Sequence, residues 1–578
     1  MWGSNTRFWH ATEAAGGSNA FGGAFFTGAV GRELYLSRSD HMNLFLFDEE
    51  TARDLGMMPE KKSPYERRRS TGFDPAKRTL FEHRGLIDRV LQTGGDAVIS
   101  AHARDMLVRA VLVPERTPEG IEDRQRMVRA LYDKTRRQRL LDFFSNAFLE
   151  NRQEATNESF LDTFATFTEN RHQIIGEAEY AATRNVARLL NELNADPGTR
   201  SIYSFLRERC HDGVFKLNEL MTAREMNFRL SGGLTSGAAE WHNVPEPVGG
   251  DSIPISTMAR PEDERIELDE LRRAFVGTML RSYQTKYQKE AGLIVRTLAM
   301  LEALVHYVGF AEADSRAWCV PEMVESRQPF IELHGYRHPM FLDVGVVQDR
   351  LIVGADTLIN VITGANSGGK TQQLRELAQL LTLAHAGLPI PAERARISIS
   401  WSLHSNFGGK DDSAKGRYEK ALTRWMDVLS GTSRSVVFSD ESNDGTFVDT
   451  GVKHSIQALD VLAQRKVVAF LVTHYHEIAE RLLDDVPASR NLHVVSKKNG
   501  DGTLSHTYRI AEGHDPNSYG EETALAVGFT QENLDRIANQ DMPDRRPAIR
   551  SEHGVHVLFE GSGGSGGSGG SAGSRFRS

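Results

Sequence analysis

The hydrophobic period of this chain changes along its length. From 120 to 196 there is no proline, and apolar residues recur three and four apart: Ile121, Met127, Val128 and Leu131, then Leu140, Leu141 and Phe144. That spacing lays an apolar stripe along each helix, so several long helices are expected, ended by Pro197-Gly198. The aromatics here, Phe143, Phe144, Phe148, Phe160, Phe164 and Phe167, read as core rather than as a base-stacking surface. Helical spacing returns in Ile266, Leu268, Leu271, Phe275, Met279, Leu280, Tyr283 and Tyr287, within a run that is proline-free from Glu262 to Phe310. A continuous helix there would be about 65–70 Å long. That is the length of an arm or coiled coil. Gly277 and Gly292 each weaken it by about 1 kcal/mol. An antiparallel partner is expected before residue 230. The two would be joined at their tip by an irregular insert, 231–261, rich in glycine and proline.

From Val320 to about Ala538 the pattern becomes α/β. Strand-like runs appear at 351–353, 359–363, 397–399, 436–439, 467–472 and 492–496, mostly separated by helical runs. Strands alternating with helices favour a largely parallel sheet that binds phosphate at its carboxyl edge.

Three motifs sit on those strands. After 359–363 come Gly364, Ala365, Asn366, Ser367, Gly368, Gly369, Lys370 and Thr371, and then a helical run. This is G-x-x-x-x-G-K-T between a strand and a helix, where backbone N–H groups and the helix N-terminus can hold phosphate. Lys370 is expected to reach the β- and γ-phosphates of ATP, and Thr371 to ligate Mg²⁺. The second motif is an apolar strand delivering Asp440 and Glu441. Asp440 is assigned to Mg²⁺ through water, and Glu441 to the attacking water as its base. The third is a strand ending in Thr473-His474; alone His474 reads as an ordinary strand-end residue, but after the first two motifs the order resembles ATPases of the ABC superfamily, which implies a switch role for it beside the γ-phosphate.

Charge and composition narrow the partners. The net charge is −9, which excludes a globally basic nucleic-acid binder and leaves only a local basic face. Arg67-Arg68-Arg69 reads as a solvated surface turn. Two cysteines, Cys210 and Cys319, suit a reducing compartment. No signal peptide or membrane span is read in the sequence, so a cytoplasmic location is expected. Residues 1–41 read as a leader or expression-derived segment ending at a His41-Met42 seam, 42–84 as an N-terminal segment, and 541–578 as a flexible tail with a Gly/Ser linker.

The order TGANSGGKT, DESNDGT, LVTHYHEIAERL and SYGEETALAVGFTQENLDRIA resembles the MutS family of DNA-repair ATPases. Arg337-His338-Pro339, Ala384-His-Ala-Gly387 and Pro391 match as well, and 109–131 resembles a family core segment. The resemblance implies an α/β ABC-type P-loop ATPase head over 320–540 and an all-α core and lever domain over 85–230 and 262–319. It implies ATP and Mg²⁺ as cofactors, DNA (duplex or branched) as partner, and a homodimer whose heads close one another's sites.

Three departures qualify it. Few residues precede the core, so the family's mismatch-reading domain is not expected, and 231–261 is too short for a full clamp. In the trans-acting signature, Gly416 and Arg417 are kept, but Tyr418 stands where the family has serine. Arg417 is the candidate trans cation. Two functions follow: an ATP-switched clamp on DNA that does not read mismatches, or an ATP-switched scaffold that regulates a partner protein.

Overall fold

The two hydrophobic periods become two kinds of packing. The computed structural model describes residues 51, 54–57, 85–92, 99–112, 117–145, 159–169, 177–210, 264–342, 346–365, 368–400, 402–407, 416–431, 434–441, 446–500, 504–515, 519, 521, 524–525 and 527–538. They fall into two units. The larger runs to Lys497 and takes in 505–518, and the smaller holds 498–504 and the chain from Tyr519 on.

The helical part contains α1 (Leu86–Gln92), α2 (Ala101–Leu112), α3 (Pro118–Leu131), α4 (Lys134–Ser145), α5 (Phe160–Glu169), α6 (Glu177–Ala195), α7 (Arg200–Arg209) and α8 (Glu264–Ala313). Pro118 opens α3, where its missing N–H costs nothing, and Thr117 Oγ1 accepts from Gly120 N at 3.2 Å. The Asp-Pro-Gly break after α6 is tied down. Asp196 accepts from Arg136 at 2.7 and 3.1 Å and from Gly198 N at 2.8 Å. Phe144, Phe160, Phe164 and Phe167 are buried, as their spacing indicated. Phe148 lies outside the described residues.

The long helix is present but not continuous. Tyr287, at φ −122° and ψ 24°, interrupts α8. Neither Gly277 nor Gly292 is the break. The interruption comes where the helix enters the packed core: Ala291, Ile294, Leu298, Leu301, Val305 and Val308 beyond it are buried against α2 and α5. Among the described residues, only Lys286–Ala313 is long and apolar enough to cross a membrane, at mean hydropathy 1.5, and 72% of that window is buried within the fold. The expected partner arm before residue 230 and the insert 231–261 lie outside the described residues.

The α/β part has two sheets where one was expected. The larger is formed by β4 (Ile359–Thr363), β6 (Ser402–Phe407), β7 (Ser435–Asp440), β8 (Val468–Val472), β9 (Ser489–Lys498) and β10 (Leu504–Glu512), in the order β10-β9-β4-β8-β7-β6. From β9 through β6 neighbouring strands are parallel. The runs at 351–353 and 397–399 do not belong to it. They lie in β3 (Gln348–Val353) and β5 (Arg394–Ser398), which join β1 (Glu322–Val324) and β2 (Ile331–Tyr336) in a mixed sheet. Exposure alternates from Arg350 to Val353 in β3, the mark of a one-sided strand, whereas β4 and β8 are buried throughout.

Helices α9 (Lys370–His385), α10 (Arg417–Leu429), α11 (Val448–Gln464) and α12 (His476–Asp485) connect the parallel strands, and α13 (Gln531–Ala538) belongs to the smaller unit. Side chains of α3 and α8 join the helical part to the α/β part. Arg124 donates to Ala386 O at 2.7 Å, Gln125 to Pro321 O at 2.7 Å and Tyr307 to Pro389 O at 3.1 Å. Arg337, of the Arg-His-Pro stretch, is buried here and donates to Asp314 at 2.8 Å.

Candidate functional site

Three strand ends stand level at the carboxyl edge of the parallel sheet. Ile362 pairs with Val472 across β4 and β8, and Val472 pairs with Asp440 across β8 and β7. The register therefore brings the residues that follow β4, β7 and β8 together, although they are far apart in sequence.

After β4 the chain turns through Gly364 at φ 132°, Gly368, and Gly369 at φ 94°. A Cβ on Gly364 would stand 3.0 Å from Val494 O, one on Gly368 2.9 Å from Ala365 O, and one on Gly369 2.9 Å from the Tyr508 ring. Side chains are excluded, so the backbone itself lines the turn. Lys370 begins α9 and is buried. Its Nζ donates to Gly364 O at 2.9 Å and Ala365 O at 3.0 Å. Burial pulls the Lys370 pKa down, opposed by the Glu441 and Asp440 carboxylates. Asn366 and Ser367 lie outside the described residues.

Thr371 Oγ1 donates to Asp440 Oδ2 at 2.6 Å. The other oxygen, Asp440 Oδ1, is buried and has no hydrogen-bond partner. A buried, unpartnered carboxylate oxygen is costly unless a cation or water satisfies it. Burial raises the Asp440 pKa, and the Thr371 hydrogen bond pulls it back. Hydroxyl and carboxylate oxygens are the donor set that Mg²⁺ takes, so these residues fit the ion.

Glu441 follows at φ 48°, a left-handed backbone that costs a non-glycine residue energy and recurs at working sites. Its N–H donates to Val472 O at 3.1 Å, and its Oε1 pairs with His474 Nε2. The His474 hydrogen bond holds the Glu441 carboxyl below the usual glutamate range against the opposing effect of burial. His474 follows β8, where Tyr475 N donates to Thr473 Oγ1 at 3.0 Å. The constellation can cradle a phosphate chain, hold a divalent cation and present an ionised carboxylate to a water.

The signature segment is only partly described. Gly416 precedes α10, a Cβ there would meet open space, and Arg417 opens the helix. Tyr418 is engaged within its own chain. Its hydroxyl bonds to His454 Nδ1 on α11, and the two rings stack at 6.1 Å. Sequence reasoning missed Tyr508 beside the loop. It sits at φ 57°, with its carbonyl accepting from Gln348 Nε2 at 2.8 Å and Gln373 Nε2 at 2.9 Å. The only sequence signal was an aromatic in a half-polar run.

Residues 360–542 match the family model described as MutS domain V. The DNA mismatch repair protein MutS of Anaeromyxobacter sp. (strain Fw109-5) is 30% identical over 348 residues, 55% of this chain and 38% of that protein. The DNA mismatch repair protein MutS 1 of Halobacterium salinarum (strain ATCC 29341 / DSM 671 / R1) is 29% identical over 269 residues, 45% of this chain and 29% of that protein. The chain thus matches well under half the length of either relative.

Proposed function

The chain belongs to the MutS family, and on that premise we propose that it is a DNA-binding ATPase whose ATP state switches a clamp-like homodimer. In this reading 320–540 form the ABC-type P-loop head, and the described helices of 85–210 and 264–319 the helical core and lever. The observation that carries the reading is the pairing of Thr371 with Asp440 beside the unpartnered Asp440 Oδ1, next to the Glu441–His474 pair. It supports hydrolysis of ATP by water to ADP and phosphate.

In this reading the turn from Gly364 to Gly369, with Asn366 and Ser367, holds the phosphates, and Lys370 neutralises their charge. Thr371 and Asp440 hold Mg²⁺, which supplies charge neutralisation at the phosphates. Glu441, kept ionised by His474, takes the proton of the attacking water. The Tyr508 ring flanks the glycine turn and offers a face for the nucleotide base. Arg417 is the cation offered to a second copy.

Dimerisation through the heads is supported by exposed apolar residues. Phe447, just before α11, is 87% exposed, and in the smaller unit Val527, Phe529 and Ile537 are exposed on and around α13. A symmetric dimer through the heads would cover Phe447. A cytoplasmic location is part of the proposal, supported by the free thiols Cys210 and Cys319.

The test is binding to linear, mismatched, branched and single-stranded DNA, with and without ATP, across a salt series. Phosphate contacts give a steep salt slope that changes with ATP. No DNA binding under any condition would overturn the clamp and favour the partner-protein scaffold, the reading that the net charge of −9 supports.

A further inference from the structure

A short segment far upstream docks onto the α/β part, and none of the motifs accounts for it. Residues Thr51 and Asp54 lie on one helical turn, closed by Leu55 N donating to Thr51 O at 3.0 Å. Leu55 and Met57 are fully buried. The contact is made at β6, the edge strand of the large sheet, and an edge strand presents unpaired backbone groups. Ser405 N donates to Thr51 Oγ1 at 3.1 Å, and Ser405 Oγ donates to Asp54 Oδ2 at 2.6 Å.

Helices on either side reach for the same segment. From α10, Arg424 Nη2 donates to Thr51 Oγ1 at 2.8 Å while its Nε donates to Ser405 O at 2.7 Å. From α9, Arg375 Nε donates to Asp54 O at 2.9 Å, and Gln379 Nε2 donates to Leu55 O and Gly56 O at 3.2 Å. Gly56 is left-handed at φ 68°, and a Cβ there would stand 3.1 Å from Gln379 Nε2. The segment therefore bonds at once to the helix that begins with Lys370 and Thr371 and to the helix that begins with Arg417.

We propose that Thr51 and residues 54–57 are a positioning strap that fixes α10 relative to α9. It sets where Gly416 and Arg417 stand with respect to the phosphate turn, and so controls turnover without touching the nucleotide. The proposal rests on the reading of the site as an ATPase. Leu55 and Met57 form an apolar plug that keeps the strap docked. Thr51 Oγ1 carries the bond to Arg424 of α10, and Asp54 Oδ2 the bond to Ser405 of β6, whose carbonyl Arg424 also holds. Removing those bonds while keeping the plug releases the helix and leaves the core intact.

The experiment compares full-length wild type with the double variant Thr51→Val/Asp54→Ala and, separately, with Gly56→Val. Amide hydrogen exchange across 417–429 is read alongside ATP affinity, turnover and melting temperature. The strap is supported if exchange in α10 rises by about tenfold or more in either variant. Turnover should then fall about tenfold or more while ATP affinity stays within about twofold of wild type. Unchanged exchange in both variants overturns it. So does a parallel loss of affinity, turnover and melting temperature, which marks a contact that only stabilises the fold. A wild type that hydrolyses no ATP sinks the functional reading instead, and the exchange result then decides the strap by itself.

Discussion

Thr371 Oγ1 donates to Asp440 Oδ2 at 2.6 Å, joining the first residues of a helix to the last residue of a strand two places away in the sheet. The bond leaves Asp440 Oδ1 buried and unpartnered. Asp440→Asn is therefore expected to weaken Mg²⁺-dependent nucleotide binding by about 10–100-fold. Burial raises the Asp440 pKa, and the ion needs the carboxylate form. Mg²⁺ affinity should then fall on acidification at a higher pH than an ordinary aspartate, at about 3.9, would give. Calorimetric Mg²⁺ titration of the ATP-loaded protein over a pH series checks both.

His474 acts on Glu441 in the opposite sense. Its hydrogen bond depresses the Glu441 pKa, so the carboxylate persists into acid and activity is lost only as pH falls through that lowered value. His474→Ala removes the bond, raises the Glu441 pKa and should move the acid limb of kcat/KM to higher pH. An acid limb that stays in place would show that the pair does not set the ionisation of Glu441.

Gly369 can be replaced only at a cost, because it combines φ 94° with a Tyr508 ring 2.9 Å from where a Cβ would stand. A left-handed backbone costs an alanine about 1–2 kcal/mol. Gly369→Ala should therefore raise the ATP dissociation constant by about tenfold or more. Fluorescent-nucleotide binding reads the effect. Unchanged affinity would mean that the ring does not hold the turn.

Tyr418 stands where the MutS resemblance places a trans-acting serine, but its hydroxyl is bound to His454 of the same chain. Tyr418→Phe should cost about 1 kcal/mol of stability while leaving turnover within about twofold. Arg417→Ala should lower turnover. Thermal melts with steady-state kinetics separate the two. A large loss of turnover in Tyr418→Phe would place that hydroxyl in the reaction.

The strands that carry the candidate site were more legible than the fold around them. Gly364 to Thr371, Asp440-Glu441 and Thr473-His474 each pack their chemistry into a few adjacent residues on buried apolar strands, and both strand and motif show in one window. β6 was missed because it reads Ser-Leu-His-Ser-Asn-Phe. Ser405 and Asn406 are buried with their polar groups bonded to Thr51, Asp54 and Ala421, so burial there needed no apolar period. β10 is half exposed, and Tyr508 is held by its carbonyl, which carries no side-chain signature. The separate mixed sheet was missed because short apolar runs show strands but not which strands pair. The interruption at Tyr287 depends on where α8 meets the core, a tertiary matter.

The most direct measurement is phosphate release by wild type and Glu441→Gln with Mg²⁺ and saturating ATP, with bound nucleotide quantified in the same samples. The wild type should hydrolyse ATP only with Mg²⁺. Glu441→Gln should bind ATP equally well and turn over about 10²–10⁴-fold more slowly, the worth of a positioned base. Equal rates in the two proteins, or no Mg²⁺-dependent release by the wild type, would contradict the assignment of this site.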